Sequence, residues 1–225
     1  MSRNRQIAAF TLIELLVVIA IVGILGGLIG SALKSPEGGA ALKNAQRTTA
    51  SLFKSLRLHA VSNQSPTRLV IHADPQDPEK FLRYLGVIYY DKIEEGWVAA
   101  DTPSFLPKGV YFVPPPNSPQ VDFGGLTVHS SFQHLESSFN KMELRDYPST
   151  VVMSQSNGET YFFYECSALG HSLNKNADFL VAPGITEWDG EESKVTFSEN
   201  EYAVEGFRIR QSGATAFFTV YEDIQ

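Results

Sequence analysis

Glu14 is the only charged residue between Arg5 and Lys34, and it lies inside the apolar run FTLIELLVVIAIVGILGGLIGSAL that begins at Phe10. A carboxylate deep in hydrocarbon costs about 2.5–3.5 kcal/mol on insertion scales, less near the interface, and intramembrane acids are as a rule functional. The chemistry open to Glu14 is charge compensation. A cut between Ala9 and Phe10 leaves it about one helical turn from a new α-ammonium group, and the positive end of the helix dipole adds to the attraction. The two charges can neutralise each other within one subunit or between staggered neighbours. The plainer alternative is a tolerated glutamate at the membrane interface.

Other candidate chemistry is weaker. The pattern S-x-x-K occurs at Ser31/Lys34, Ser51/Lys54 and Ser138/Lys141, in unrelated contexts and without the S-D-N and K-T-G partners it needs. Cys166, the only cysteine, ends the aromatic run YFFYEC and reads as a packed small apolar residue rather than a nucleophile. A single thiol also excludes an internal disulfide and a multi-cysteine zinc site. His59, His72, His129, His134 and His171 are scattered, and H-E-x-x-H is missing, so their spacing argues against metal ligation. Calcium is the better metal candidate, at Asp74, Asp77 and Glu79 or at Asp189, Glu191 and Glu192. Neither cluster has the D-x-D-x-D-G spacing, so solvated turns are the simpler reading and no cofactor is expected. Arg208 and Arg210 alternate on a predicted strand and share a face, with Arg145 and Lys194 elsewhere, which would suit a DNA contact. Glu199, Glu201 and Glu205 close by argue against nucleic acid as a partner, as does the formal charge of −7, since few phosphates could be neutralised.

These residues need elements to position them. The chain has 225 residues, 43% of them hydrophobic and 19% charged, which suffices for a real core and excludes wholesale disorder. Residues 1–9 form a short polar leader with Arg3 and Arg5. Residues 10–34 form an apolar helix of about 24 residues, roughly 36 Å against a hydrocarbon core of about 30 Å. Arginines before it and no basic cluster just after it put the N-terminus in the cytoplasm, with the bulk of the chain beyond the inner membrane. A secretory signal peptide would end its apolar region in a small-x-small site; here Ala8-Ala9 precede a long run. A plain signal anchor leaves Glu14 unexplained. Gly23, Gly26, Gly27 and Gly30 share one helical face and would let helix backbones approach closely, although glycine is also simply common in spanning helices.

Ser35-Pro36-Glu37-Gly38-Gly39 is a break. Beyond it Ala41, Ala45, Thr49, Leu52, Leu56 and Ala60, widened by Leu42, Phe53 and Val61, predict an amphipathic helix within 35–64 that lays its apolar face on a sheet. Residues 65–225 then read as a β-rich head. Its predicted strands are Thr67–Ala73, Phe81–Asp91, Trp97–Ala100, Gly109–Val113, Thr150–Ser154, Glu159–Cys166, Phe179–Ala182, Ala203–Arg210 and Ala214–Tyr221. Asn157-Gly158, Pro183-Gly184, Asp189-Gly190 and Ser212-Gly213 predict turns, the first of them a hairpin. The proline run at 114–119 predicts a polyproline-like crossover, and the segment from Asn174 to Asn200 exposed polar loops. The expected fold class is α+β, a long N-terminal hydrophobic helix serving as a spine and packed on an antiparallel β-rich head.

The segment AAFTLIELLVVIAIVGIL resembles the class III signal of type IV prepilins and type II secretion pseudopilins. That family has a short basic leader, a small residue, an aromatic after the cut, and a glutamate four residues further on; Phe10 and Glu14 match the last two. The residue before the cut is usually glycine, and here it is Ala9. The resemblance implies cleavage between Ala9 and Phe10 by a prepilin peptidase, N-methylation of Phe10, and a Glu14 contact with a neighbour's N-terminus during assembly. It implies as partners other pilin or pseudopilin subunits and an inner-membrane assembly platform, and a single-pass protein with a periplasmic head and no enzymatic activity. Abundant subunits often carry proline where Ser31 stands, which points to a minor subunit. LFKSLRLHAVSNQSPTRLVI and FRIRQSGATAFFTV are similar to the helix-to-strand junction and closing hairpin of H-type minor pseudopilins. Two alternatives stand beside a type II secretion pseudopilin: a type IV pilus minor pilin in adhesion or DNA uptake, and a membrane-anchored binding protein or enzyme.

Overall fold

Leu42, Ala45, Thr49, Leu52, Phe53, Leu56 and Ala60 recur at helical spacing, and in the computed structural model they form the buried stripe of one helix, α1 (Glu37–Asn63). The structure describes residues 37–116, 118–124, 126, 140–154, 157–173, 177–198 and 204–219. The expected leader and apolar helix, with Ala9, Phe10, Glu14, Gly23, Gly26, Gly27 and Gly30, lie outside these residues, as do Pro36, His129 and His134. Among the described residues no helix is long and apolar enough to cross a membrane. Helix α1 ends where expected. Gln64 takes a positive φ of 48°, its N–H donates to the Val61 carbonyl and that of Ser65 to the Ala60 carbonyl, closing the helix in a Schellman motif. Val61, expected on the apolar stripe, is 52% exposed, because it sits about 100° around the helix from Ala60.

The first sheet runs β3 (Gly96–Ala99), β2 (Tyr84–Asp91), β1 (Thr67–His72), β9 (Glu159–Cys166), β7 (Asn140–Arg145) and β8 (Val152–Ser154), with β4 (Ser104–Phe105) also pairing β2. Every pairing in it is antiparallel. Its central strands β1 and β9 and most of β2 are buried on both faces. Leu69 and Ile71 of β1 join the core under α1, whereas Val70 joins Ile88, Leu144, Tyr161 and Phe163 in a second cluster behind the sheet. The second sheet runs β13 (Thr215–Thr219), β12 (Glu205–Ile209), β10 (Ala177–Trp188), β11 (Ser193–Phe197) and β6 (Val121–Asp122), with β5 (Val110–Phe112) on β10. Only its β6–β11 pair is parallel among the described residues.

Phe53 joins the helix to both sheets. Its ring meets Tyr164 of β9 edge-on at 5.1 Å, and Phe179 of β10 and Phe207 of β12 at 5.5 and 4.9 Å. Burial of a phenylalanine is worth about 1.5–3 kcal/mol, and edge-on aromatic contacts add about 0.5–1.5 kcal/mol.

Several sequence expectations change. Pro183-Gly184 is no turn: both lie inside β10, which pairs β12 over Ala177–Val181 and β11 over Gly184–Trp188. Proline cannot donate to a ladder and glycine admits close backbone approach, so the pair marks a change of partner rather than a reversal. Asn157-Gly158 joins β8 to β9, but these strands do not pair, because β7 lies between them. The glycine is used for proximity instead: a Cβ there would stand 2.9 Å from the Leu144 carbonyl oxygen. The stretch read as polar loops from Asn174 to Asn200 holds β10 and β11. Strands β4, β6, β7 and β11 were not expected at all; two are only two residues long, too short for a period. The predicted start of β2 at Phe81 shifts to Tyr84, because Leu82 adopts φ 56°. The closing hairpin is β12–β13, turning at Ser212-Gly213 as expected.

Candidate functional site

The described residue with the most unusual surroundings is His72. It ends β1 on the Val70 face, opposite Tyr161 of β9 in register, and its ring stands edge-on to Tyr161 at 5.1 Å. The chain then turns through Asp74 and Asp77. Each aspartate uses Oδ1 to accept N–H bonds from the next turn, Asp74 from Gln76 and Asp77 from Glu79 and Lys80. These Asx turns return the backbone, so that the Leu82 N–H reaches the His72 carbonyl at 2.9 Å.

Asp77 and Lys80 are thereby carried to Glu159 of β9. The Lys80 ammonium donates to Asp77 Oδ2 and Glu159 Oε1, 3.0 Å each, and the Tyr161 hydroxyl donates to Glu159 Oε2 at 2.6 Å. His72 Nε2 stands 3.5 Å from Glu159 Oε2, and neither ring nitrogen of this fully buried histidine has a hydrogen-bond partner. Burial lowers the His72 pKa, outweighing the Glu159 charge, and keeps the ring neutral. Burial of Glu159 raises its carboxyl, but the hydrogen bonds from Tyr161 and Lys80 outweigh this and leave it below its ordinary value. Donor atoms of His72, Asp77 and Glu159 lie within 4.8 Å of one another. Chemically this is one neutral imidazole and two carboxylates, bridged by an ammonium.

Beyond the same turn a groove of about 550 Å³ opens, lined by Glu79, Arg83, Phe105, Lys108, Thr186 and Trp188. Arg83 Nη2 donates to the Leu106 carbonyl at 2.9 Å, and Thr186 Oγ1 to the Tyr111 hydroxyl at 2.8 Å. Phe105 and Trp188 are about half exposed. Two cations between two aromatic side chains suit a partner that brings both negative charge and apolar surface.

Residues 4–30 match the family model described as the prokaryotic N-terminal methylation motif. This match is consistent with a type IV pilin-like prepilin signal. No curated protein and no solved structure matches the chain.

Ala9, Phe10, Glu14 and the glycines fall within the matched span. Of the acidic clusters weighed for calcium, Asp77 joins the His72 group, while Asp74 and Asp189 cap turns through Oδ1. Cys166 is buried on β9, and burial pushes its thiol up to about 12. His59 stacks on Tyr89 and stands 3.4 Å from Asp101. Three of the four cations considered for DNA, all but Arg210, are engaged with acids. Arg208 makes a two-point pair with buried Asp178 at 2.8 and 2.9 Å, and Arg145 and Lys194 pair with Asp146 and Asp122. Sequence reasoning missed Lys80 and Glu159. The only local signal was the Asx-turn pattern in DPQDPEK, since the partner strand lies far along the chain.

Proposed function

We propose that this chain is a minor pseudopilin of a type II secretion system, most akin to the H-type subunits, whose work is filament assembly rather than catalysis. The observation that carries this reading is the methylation motif matched at residues 4–30, a span that includes Phe10 and Glu14. Prepilin peptidase cuts after Ala9 on the cytoplasmic face, and Phe10 becomes the methylated N-terminus. The apolar helix holds the subunit in the inner membrane, single-pass, with the head in the periplasm. On assembly Glu14 meets the N-terminal amine of a neighbour; two opposite charges in a low-dielectric setting fix the axial register. Apolar packing then supplies the bulk of the affinity, and the glycine face brings helices close. The described head supports this role: α1 is bound to both sheets through Phe53, so a force on the helix is transmitted to the whole head.

The test is Glu14→Leu. Membrane insertion is expected to be unchanged or improved, since a charge leaves the spanning segment, while incorporation into filaments with partner subunits is lost. Normal incorporation of the variant would overturn the electrostatic register.

A further inference from the structure

We propose that His72, Asp77 and Glu159 form a binding site for one zinc ion, which enters in exchange for the Lys80 ammonium. The His72 ring decides the ligand class. It is fully buried and without a hydrogen-bond partner at either nitrogen, while Nε2 stands 3.5 Å from Glu159 Oε2. Leaving a buried polar group unsatisfied is costly, and a metal bond to the imidazole would satisfy one of its two nitrogens. Calcium and magnesium prefer all-oxygen sites, whereas a mixed nitrogen and carboxylate set suits zinc.

The geometry is close to what zinc requires. Zinc holds imidazole nitrogen and carboxylate oxygen at about 2.0–2.2 Å in a tetrahedron, so neighbouring donor atoms sit roughly 3.3–3.5 Å apart. The His72–Glu159 separation is already there, and all three donors lie within 4.8 Å. Both carboxylates are prepared. Backbone N–H groups of Glu79 and Lys80 hold Asp77 Oδ1, leaving Oδ2 to turn inward. The Tyr161 hydroxyl orients the Glu159 carboxylate by donating to Oε2, the oxygen that stands 3.5 Å from His72 Nε2, as outer partners of metal ligands do.

Lys80 marks where positive charge is wanted. Its ammonium lies 3.0 Å from a carboxylate oxygen of each acid. One cation against two carboxylates leaves a net negative charge, which a divalent ion would compensate more fully. The lysine is 29% exposed, on a flexible stem that can swing into solvent. Zinc would then tie the turn to β9. Glu79, between Asp77 and Lys80, lines the groove that also holds Arg83 and Trp188, so metal binding would set one wall of that groove. The inference stands independently of the filament role.

The full-length chain in detergent, stripped with a chelator, would be titrated calorimetrically with zinc chloride and in parallel with calcium chloride. One equivalent of zinc is expected, with a rise in the thermal midpoint. His72→Gln and Glu159→Gln are each expected to weaken binding by about tenfold or more. Lys80→Met, which removes the competing cation, is expected to tighten it, and His59→Gln to leave it unchanged. The Lys80 variant keeps the test open if His72→Gln fails to fold. Absence of zinc binding by both wild type and Lys80→Met would overturn the site. So would zinc affinity that survives His72→Gln and Glu159→Gln, or calcium binding as tight as zinc.

Discussion

Cys166 and Gly206 show how single positions are constrained here. Burial holds the Cys166 thiol protonated up to about pH 12, against about 8.5 in an unfolded chain. Between those values the unfolded state has released the proton that the folded state retains, so stability falls as pH rises through that window. Alkylation by iodoacetamide at pH 8 is expected to be slow in native protein and fast in denaturant. In Cys166→Ala, the loss of stability above about pH 8.5 should be shallower in urea titrations. Gly206 is fixed by backbone. A Cβ there would lie 2.3 Å from the Phe179 carbonyl oxygen of the paired strand, and the Gly206 carbonyl itself accepts from Gln46 of α1. Gly206→Ala is expected to cost about 1–3 kcal/mol, read as a lower urea midpoint with an unchanged slope. The thiol's burial was legible in the run YFFYEC. The demand at Gly206 was not, since it is set by a strand paired across 26 positions, Leu180 to Gly206.

Among the elements, α1 was the most legible, because its apolar stripe and its stop after Asn63 are local signals. Its cap offers a direct test. Gln64 holds a left-handed conformation that costs a residue with a Cβ about 1–2 kcal/mol, and glycine adopts it freely. Gln64→Gly is expected to raise stability by roughly 1 kcal/mol; an unchanged or lower thermal midpoint would contradict the Schellman assignment. Strands were legible where alternation ran long, as in β1 and β9, whose predicted and observed ranges nearly coincide. They were not legible where a strand changes partners. A proline and a glycine inside β10 mimic a turn, and only the competing ladders on β12 and β11 show that the chain runs straight on. The candidate zinc site fell between elements in the same way: His72, Asp77 and Lys80 are close in sequence, but Glu159 arrives through the β1–β9 pairing.

For the whole molecule, two kinds of information met. The head's architecture comes from tertiary packing, two sheets gathered on one helix by an aromatic cluster. The proposed assembly role rests on the motif matched at residues 4–30, where an acid sits in an apolar run. The net charge of −7 would become more negative if Arg3 and Arg5 left with the proposed leader. Arg208, Arg145 and Lys194 are engaged with acids, so a phosphate would have to compete for them. The groove around Trp188 adds an aromatic surface that carries Arg83 and Lys108.

The central claim stands or falls on the N-terminus of the protein as it exists in a membrane that contains prepilin peptidase. Intact and peptide-level mass spectrometry should find the chain beginning at Phe10 with one methyl group on its nitrogen. A chain still beginning at Met1, or trimmed elsewhere than after Ala9, would contradict the pairing of Glu14 with a new amine and the assembly mechanism built on it.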